Sequence, residues 1–251
     1  MKYLAFIGTE GAMPEEAVAV MNRGFPAYLE EIDRRQLWRL GRELDLPHTA
    51  ATVRVRDGET LVTDGPFLET KEHVAGIDLF EVSGLDEAIE IEAMSPVAQF
   101  LPFEIRPFRQ GPRLGPGVDA FGDHDDSAGI PYLLIVWAGG IPAAPLDEPA
   151  VLQETESWRQ DLDARGAYVL GGALGGPETS TTIRFRDGQM QLIDGPFLDI
   201  DQFIDGVDVV RCADRGQALA LAATHPFARY HAIEVRSFYS EAAHQGPQPA
   251  G

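Results

Sequence analysis

The sequence predicts an α+β protein that contains the same α+β unit twice. Residues 53–108 align with residues 183–238 at a constant offset of 130 and without a gap. Within each segment, hydrophobic patterns typical of strands and of helices alternate in the same order. The turn sequence DGPFL stands at residues 64–68 and again at 194–198. Because repetition at one fixed spacing is the signature of an internal duplication, we expect the two halves to fold alike.

The first elements of each unit follow from local patterns. Each unit begins with an apolar, β-rich run, at residues 3–7 and 132–137. A helix follows, in which apolar residues recur at steps of three and four: Ala17, Val20, Met21, Phe25, Tyr28, Leu29 and Ile32 in the first copy, and Leu152, Trp158 and Leu162 in the second. After a glycine-containing connection, two strands are joined by Asp-Gly, at 57–58 and at 187–188. Asp-Gly predicts a tight hairpin, because both turn residues must adopt positive φ.

A longer strand, a second helix and a last strand complete each unit. We place them at residues 73–82, 85–94 and 103–108 in the first copy, and at 203–212, 215–224 and 233–238 in the second. This order around one antiparallel sheet is typical of a ferredoxin-like unit with both helices on one face. The other face needs cover, so we expect the two sheets to pack against each other as an intramolecular pseudo-dimer.

The repeat also divides the chain. We expect one domain at residues 1–108 and a second at 130–238. Residues 109–129 are rich in Gly and Pro and poor in large apolar side chains, which predicts an exposed linker. Residues 239–251 are expected to form a flexible tail.

Charge and composition restrict the partners. The net charge of −20 and the isoelectric point near 4.5 predict repulsion from phosphate backbones and anionic lipids, so we expect neither nucleic acid nor membrane as a partner. Cys212 is the single cysteine, which excludes an internal disulfide. The N-terminal apolar run is too short for a signal segment, and we expect a cytoplasmic protein. The expected partner is a small-molecule ligand or substrate, and the expected assembly is a monomeric pseudo-dimer or a homodimer.

Three strings of the first copy carry a family resemblance: VRVRDGETLVTDGPFLETKEHVAGIDLFEV, then LDEAIEIEAMSP, then FEIRPF. They resemble the YCII-related family in its DGPF branch, whose members are usually single domains of this length. The resemblance covers nearly all of residues 1–108 and, less closely, residues 131–238. It implies a dimeric α+β barrel with a cleft, and for most members no established reaction. Some relatives look like dehydrochlorinases or lie near muconolactone isomerases, and DGPF members are often encoded beside extracytoplasmic-function sigma factors.

The chain departs from that family at one pair of positions. Outside the DGPF branch, members often carry a His in the first helix and an Asp before the last strand as a candidate acid–base pair. The matching positions here are Tyr28 and Trp158 in the helix, and Ser95 and His225 later. The chemistry of that pair is therefore not carried over to this chain.

Seven residues are candidates for catalysis: Asp64, Lys71, Glu72, His73, Asp194, His225 and His231. A lysine between carboxylates can bind an anionic substrate or keep a base ionised, and a histidine can shuttle protons near neutral pH. The structural alternatives are a turn that Asp and Pro shape, a solvated charged loop, and capped loop histidines. Since the counterparts of Lys71 and His73 are Asp201 and Phe203, we expect a single working cleft to belong to the first copy.

Eight residues are candidates for substrate binding: Arg54, Arg56, Phe67, Tyr28, Trp158, Arg184, Arg186 and Phe197. The arginines alternate along duplicated strands, so each pair points to one sheet face. They could clamp a carboxylate or pair with acids such as Asp78 and Asp208. No spacing of a metal site appears, and no cofactor or metal is expected.

The sequence therefore predicts a cofactor-independent small-molecule enzyme, of isomerase or lyase type, that moves a proton in a cleft between the copies. The alternative is a non-catalytic ligand-binding or regulatory module. Convergence of Asp64, Lys71 and Glu72 within about 4–6 Å around an apolar pocket would favour catalysis.

Overall fold

A computed structural model describes residues 1–10, 15–68, 71–116, 118–122, 127–139, 146–197 and 202–240. The first copy contributes β1 (Lys2–Thr9), α1 (Glu15–Arg34), β2 (Arg39–Glu43), β3 (Ala51–Arg56), β4 (Glu59–Asp64), β5 (His73–Glu81), α2 (Leu85–Met94) and β6 (Phe103–Pro107). The connecting segment contributes β7 (Arg113–Leu114) and α3 (Val118–Gly122). The second copy contributes β8 (Ile130–Gly139), α4 (Glu148–Ala164), β9 (Tyr168–Ala173), β10 (Thr181–Arg186), β11 (Gln189–Asp194), β12 (Gln202–Cys212), α5 (Arg215–Thr224) and β13 (Ala232–Ser237).

Both copies follow the predicted order of elements, with one additional strand each. The strands β2 and β9 occupy the stretch that the sequence suggested was only a connection, and each pairs antiparallel with the long strand β5 or β12. Gly41 and Gly171 lie in these strands, and a Cβ there would meet the carboxylates of Asp78 and Asp208 at 1.9 Å and 2.6 Å. The glycines make room for a buried acid, whereas from sequence a glycine argues against a strand.

The hairpins are exchanged between the two sheets. The first sheet has the order β11-β10-β6-β1-β5-β2, and the second has the order β4-β3-β13-β8-β12-β9-β7. The hairpin β3–β4 of the first copy thus extends the sheet of the second copy, with Val53 opposite Ile233. The hairpin β10–β11 extends the first sheet, with Ile183 opposite Phe103. We had expected each hairpin in the sheet of its own copy, but the duplication makes β6 and β13 nearly equivalent edges, and local sequence does not choose between them.

The hairpin turns themselves agree with the prediction. Asp57 and Gly58 have φ values of 52° and 80°, and Asp187 and Gly188 have values of 52° and 72°. Both residues of each turn are therefore left-handed, as a two-residue hairpin of this kind requires.

Three hydrophobic clusters hold the layers together. The largest lies between the two sheets and joins residues such as Phe6 of β1 to Ile135 and Trp137 of β8. Each of the other two packs helices against the outer face of one sheet. The predicted face-to-face packing of the sheets, and with it the intramolecular pseudo-dimer, is confirmed.

The connecting segment is more structured than its composition indicated. In its described part, β7 pairs with β9, with Leu114 opposite Leu170. Phe121 of α3 is buried and packs edge-on against Phe238 at 5.0 Å, while Arg42 lies over both rings at 5.3 Å and 5.2 Å. Most described residues of the segment are exposed or half-buried, as expected of a linker, but the buried Phe121 ring anchors the segment to the fold. Within the described ranges, no helix is long and apolar enough to cross a membrane.

Candidate functional site

A cleft opens where the first DGPF turn (residues 64–67) meets the second sheet. It encloses about 260 Å³, including space open to solvent, and is lined by Pro66, Leu68, Glu72, His73, Val74, Trp137, Glu234 and Arg236. The first five residues belong to the turn and the start of β5, and the last three to β8 and β13. Residues of both copies therefore build this site, which we call the cleft.

Glu234 holds the turn against the second sheet. Its Oε2 accepts hydrogen bonds from the backbone N–H of Phe67 and from Trp137 Nε1, both at 3.0 Å. Its Oε1 lies 3.3 Å from Arg236 Nη1. Arg236 in turn donates to the carbonyl oxygens of Val74 at 3.0 Å and Asp45 at 2.7 Å, both in the first copy. The Glu-x-Arg pair of β13 thus fastens the second copy to the turn of the first.

The same arrangement recurs around the second DGPF turn (residues 194–197). Glu104 of β6 accepts a hydrogen bond from the backbone N–H of Phe197 at 3.2 Å. Arg106 donates to the carbonyl oxygen of Ile204 at 2.7 Å and to that of Gly175. Burial raises the pKa of Glu104, and the charge of Arg106 opposes this shift. The duplicated DGPF and Glu-x-Arg motifs are therefore two halves of one interlock between the copies.

The two turns differ in the space beside them. Trp137 of β8 and Gly8 of β1 hold equivalent places in the two sheets. Trp137 comes two residues after Ile135, which lies opposite Glu234, and Gly8 comes two residues after Phe6, which lies opposite Glu104. A Cβ on Gly8 would lie 2.9 Å from the ring of Phe197, which is only 4% exposed. Phe67 is half-buried and packs against the Trp137 indole at 5.6 Å between ring centroids. Phe197 therefore occupies the space over Gly8, whereas the cleft forms beside Trp137.

His73 and Glu72 are the catalytic candidates that reach the cleft. Burial and then the charge of Arg236 lower the pKa of His73, while Glu234 opposes them. The imidazole is therefore neutral at neutral pH. Glu72 lies at the rim, where its Oε1 is 2.5 Å from Arg184 Nη2 of the exchanged hairpin.

The other predicted members of the first site lie elsewhere. The Asp64 side chain is 87% exposed and pairs with Arg215 at 2.9 Å. Lys71 is exposed, and so is Asp194 in the second copy. Asp64 and Glu72 thus face different arginines, and the expected convergence of Asp64, Lys71 and Glu72 does not occur. Asp201, the counterpart of Lys71, lies outside the described residues, as do Glu69 and its counterpart Asp199, which flank these positions in the sequence.

His225 belongs to a buried polar cluster in the helix layer of the second copy. Asp208 receives Arg159 Nε at 2.7 Å, Tyr168 Oη at 2.8 Å and His225 Nε2 at 3.2 Å. Burial by itself would raise the pKa of Asp208, but Arg159 and His225 outweigh it and lower the pKa to about 2. Burial lowers the pKa of His225. Trp158 packs edge-on against His225 at 4.8 Å between centroids.

An equivalent cluster in the first copy is partnered differently. Arg39 of β2 pairs with Asp78 at 2.6 Å and lies over the Tyr28 ring at 5.3 Å. Glu92 of α2 is fully buried, and burial followed by the Asp78 carboxylate raises its pKa. Neither Glu92 oxygen has a hydrogen-bond partner within the described chain. Tyr28, like Trp158, therefore packs in a helix layer and does not line the cleft.

The duplicated arginines have separate surroundings. Arg54 lies over the Phe67 ring at 5.0 Å, and Arg184 pairs with Glu72. Arg56 donates to the carbonyl oxygens of Val55 at 2.8 Å and Arg229 at 3.2 Å. Of the two alternatives for these arginines, pairing with Asp78 and Asp208 is not observed, because those acids pair with Arg39 and Arg159.

The remaining candidates are peripheral. Arg186 is exposed. His231 is half-buried and stacks on Phe227 at 6.1 Å, and burial lowers its pKa. In the ranges the structure describes, no three His, Cys, Asp or Glu side chains are grouped so that they could hold a metal ion.

Sequence reasoning missed Trp137, Glu234 and Arg236 as residues of the site. The Glu-x-Arg motif at 104–106 recurs at 234–236, but the repeat by itself indicates only that the chain is duplicated. Trp137 gave no signal, because it looks like one more apolar residue of a buried strand.

Comparison with known proteins gives two matches. The family model described as "YCII-related domain" matches residues 1–110 and residues 135–240. An uncharacterised protein of Rhizobium meliloti (strain 1021) is 54% identical over 41 residues, which cover 16% of this chain and 33% of that protein. The matched stretch thus spans about a third of that relative's length.

Proposed function

The chain belongs to the YCII-related domain family and carries the domain twice, and on that premise we propose that it is a small-molecule enzyme that transfers a proton without a cofactor. The observation that supports this most is the position of His73 in the cleft, where its lowered pKa leaves the imidazole neutral at pH 7. A neutral imidazole within reach of a bound molecule can accept a proton.

The reaction we propose begins on a carbon acid, such as a ring carbon next to a carbonyl group. The C–H bond breaks, the proton bonds to a nitrogen of His73, and the electron pair moves to the carbonyl oxygen. Where a double bond is conjugated with the enolate, the imidazolium returns the proton to the far carbon of that system, which is an isomerisation. Where a leaving group stands on the next carbon, the enolate electron pair expels it with its bonding electrons, and the imidazolium gives its proton to the expelled group or to water, which is an elimination. Every electron pair ends in the product or on the expelled group, so the proposed step needs no redox partner.

Two cleft residues support this chemistry. Trp137 offers an apolar wall for the body of the substrate. Arg236 is a buried cation whose Nε has no hydrogen-bond partner among the described residues. Because Glu234 already pairs with the Arg236 guanidinium, what Arg236 offers is this Nε–H, a preorganised hydrogen-bond donor towards developing negative charge.

Exchange of carbon-bound protons into D₂O tests the proposal. Small cyclic ketones and lactones are incubated with the full chain, and loss of the α-proton signal is followed by ¹H NMR. We expect His73→Gln to slow the enzyme-dependent exchange by about 10²-fold or more. The matched control is His48→Gln, since His48 is exposed on the 3₁₀ turn Pro47–Thr49. Exchange that is equal in wild type and His73→Gln would refute the proposal.

A second function is favoured by one observation. Asp64 and Lys71 are exposed and neither lines the cleft, so the acid–base set expected from sequence is incomplete there. A non-catalytic ligand-binding or regulatory module, of the kind associated with sigma-factor control, needs only a cleft that binds. Ligand binding in the cleft without any catalysed exchange would support this function.

A further inference from the structure

Arg54 and Arg184 occupy equivalent positions in the two exchanged hairpins, but they differ in their ion-pair partners. Arg184 Nη2 lies 2.5 Å from Glu72 Oε1 and 3.2 Å from the carbonyl oxygen of Phe197. The residue of the second copy that corresponds to Glu72 is Gln202, which carries no charge. The first hairpin therefore lacks the carboxylate that neutralises its duplicate.

Among the described residues, no carboxylate pairs with the guanidinium of Arg54, which contacts the first DGPF turn through Phe67 and is not itself a lining residue of the cleft. The guanidinium lies 5.0 Å over the ring of Phe67, which packs against Trp137 in the cleft wall. Throughout the described part of the chain, no hydrogen bond or ion pair engages the Arg54 side chain. Thr52, two residues earlier on β3, lies opposite Glu234. Because alternate strand residues face the same side, Arg54 points to the sheet face that carries Glu234.

Two carboxylates of the cleft are already paired with arginines other than Arg54. Glu72 is paired with Arg184, and Glu234 with Arg236. Arg54 adds one positive charge to these matched pairs, in a protein whose net charge is −20. An anion is repelled by the molecule as a whole, so its binding requires a local cation of this kind.

We propose that the cleft binds a small organic carboxylate with an apolar or aromatic body, and that Arg54 binds the carboxylate group. This proposal deepens the function proposed above and rests on the same cleft. A guanidinium matches a carboxylate with two parallel hydrogen bonds. The rings of Phe67 and Trp137, which pack against each other beside Arg54, supply the apolar contact.

Benzoate and its uncharged analogue benzamide are the probes for this proposal. Each is titrated into the full chain at low ionic strength by isothermal titration calorimetry. We expect wild type to bind benzoate at least tenfold more tightly than benzamide, and Arg54→Gln to remove that preference. The charge-matched control is Arg23→Gln, since Arg23 is exposed on helix α1. We expect it to change benzoate binding by less than twofold.

Gln202→Glu provides a test that keeps Arg54 in place. By the symmetry of the two copies, a carboxylate at 202 is placed towards Arg54 as Glu72 is placed towards Arg184. It should therefore pair with Arg54 and reduce benzoate binding about as much as Arg54→Gln does. The proposal is overturned if wild type shows no preference for benzoate, or if Arg54→Gln and Arg23→Gln weaken binding equally. It is equally overturned if Gln202→Glu binds benzoate as wild type does.

The outcomes separate this proposal from the proposed reaction. Arg54-dependent benzoate binding without any His73-dependent proton exchange would refute the reaction and leave the ligand class standing. Exchange that depends on His73, together with benzoate binding that ignores Arg54, would refute the ligand class alone.

Discussion

Replacing Glu234 by Gln perturbs the contact that joins the first DGPF turn to the second sheet. Glu234 is 3% exposed, and its carboxylate accepts hydrogen bonds from the Phe67 amide, the Trp137 indole and the Arg236 guanidinium. Gln has the same shape but no charge, and its single carbonyl oxygen cannot serve all three donors. Its amide N–H₂ would then face either Arg236 or the turn.

The expected loss follows from the burial of Arg236. Removing one partner of a buried ion pair costs about 3–5 kcal/mol, because an uncompensated charge remains in the interior. Arg236 is 1% exposed and keeps its two bonds to backbone carbonyls, so the charge cannot reach water. The equivalent change, Glu104→Gln, should cost only about 1–3 kcal/mol. Glu104 lies 3.6 Å from Arg106, a longer ion pair than the 3.3 Å between Glu234 and Arg236.

Urea unfolding at pH 7 measures both losses, with tryptophan fluorescence as the signal. The midpoint and the slope of the transition give the free energy of unfolding for each variant. The control is Glu59→Gln on the exposed strand β4, which should change that free energy by no more than about 0.5 kcal/mol. A loss below about 1 kcal/mol for Glu234→Gln, or one equal to that of the control, would refute the interlock as a source of stability.

Further predictions concern packing, pH and an exposed ion pair. Phe197→Ala should lower the free energy of unfolding by about 3–5 kcal/mol, and Phe67→Ala by about 1–2 kcal/mol, because only Phe197 is fully buried. Equal losses, measured by urea unfolding, would contradict the asymmetry of the two turns. Glu92 holds its proton more tightly in the folded chain than in the unfolded chain, so its contribution to stability is present below about pH 4.3 and is lost as the pH rises towards its folded pKa. In that window, Glu92→Gln should therefore make the fall in the free energy of unfolding with pH less steep by about 1.4 kcal/mol per pH unit. Urea unfolding at pH 5, 6 and 7 measures this fall, and a fall as steep as that of wild type would argue against a neutral Glu92. Asp64→Asn should change the urea midpoint little, by less than about 1 kcal/mol in free energy, because its pair with Arg215 is exposed; a loss above about 2 kcal/mol would show that the turn depends on this carboxylate.

Local patterns were enough to predict the duplication and most elements, but they did not predict β2, β9 or the β7 and α3 of the connecting segment. The strand and helix periods, the Asp57-Gly58 and Asp187-Gly188 turns, and the constant offset of 130 each depend on residues close in sequence. The same patterns placed His73 and Glu72 next to the first DGPF turn, and both reach the cleft. They failed at Asp64, because a carboxylate at the end of a strand can point to solvent as readily as into a cleft.

The sequence by itself determined that this protein is two copies of one α+β unit with a shared turn and a shared Glu-x-Arg motif. Only the tertiary structure decided which sheet each hairpin joins, and that the motif of one copy holds the turn of the other. It also decided that Trp137 and Gly8 make the two turns unequal. The physical reason is distance along the chain. Glu234 and Phe67 are 167 residues apart in the chain. A local hydrophobic pattern does not specify which of the two nearly equivalent DGPF turns a given glutamate will contact once the sheets pack.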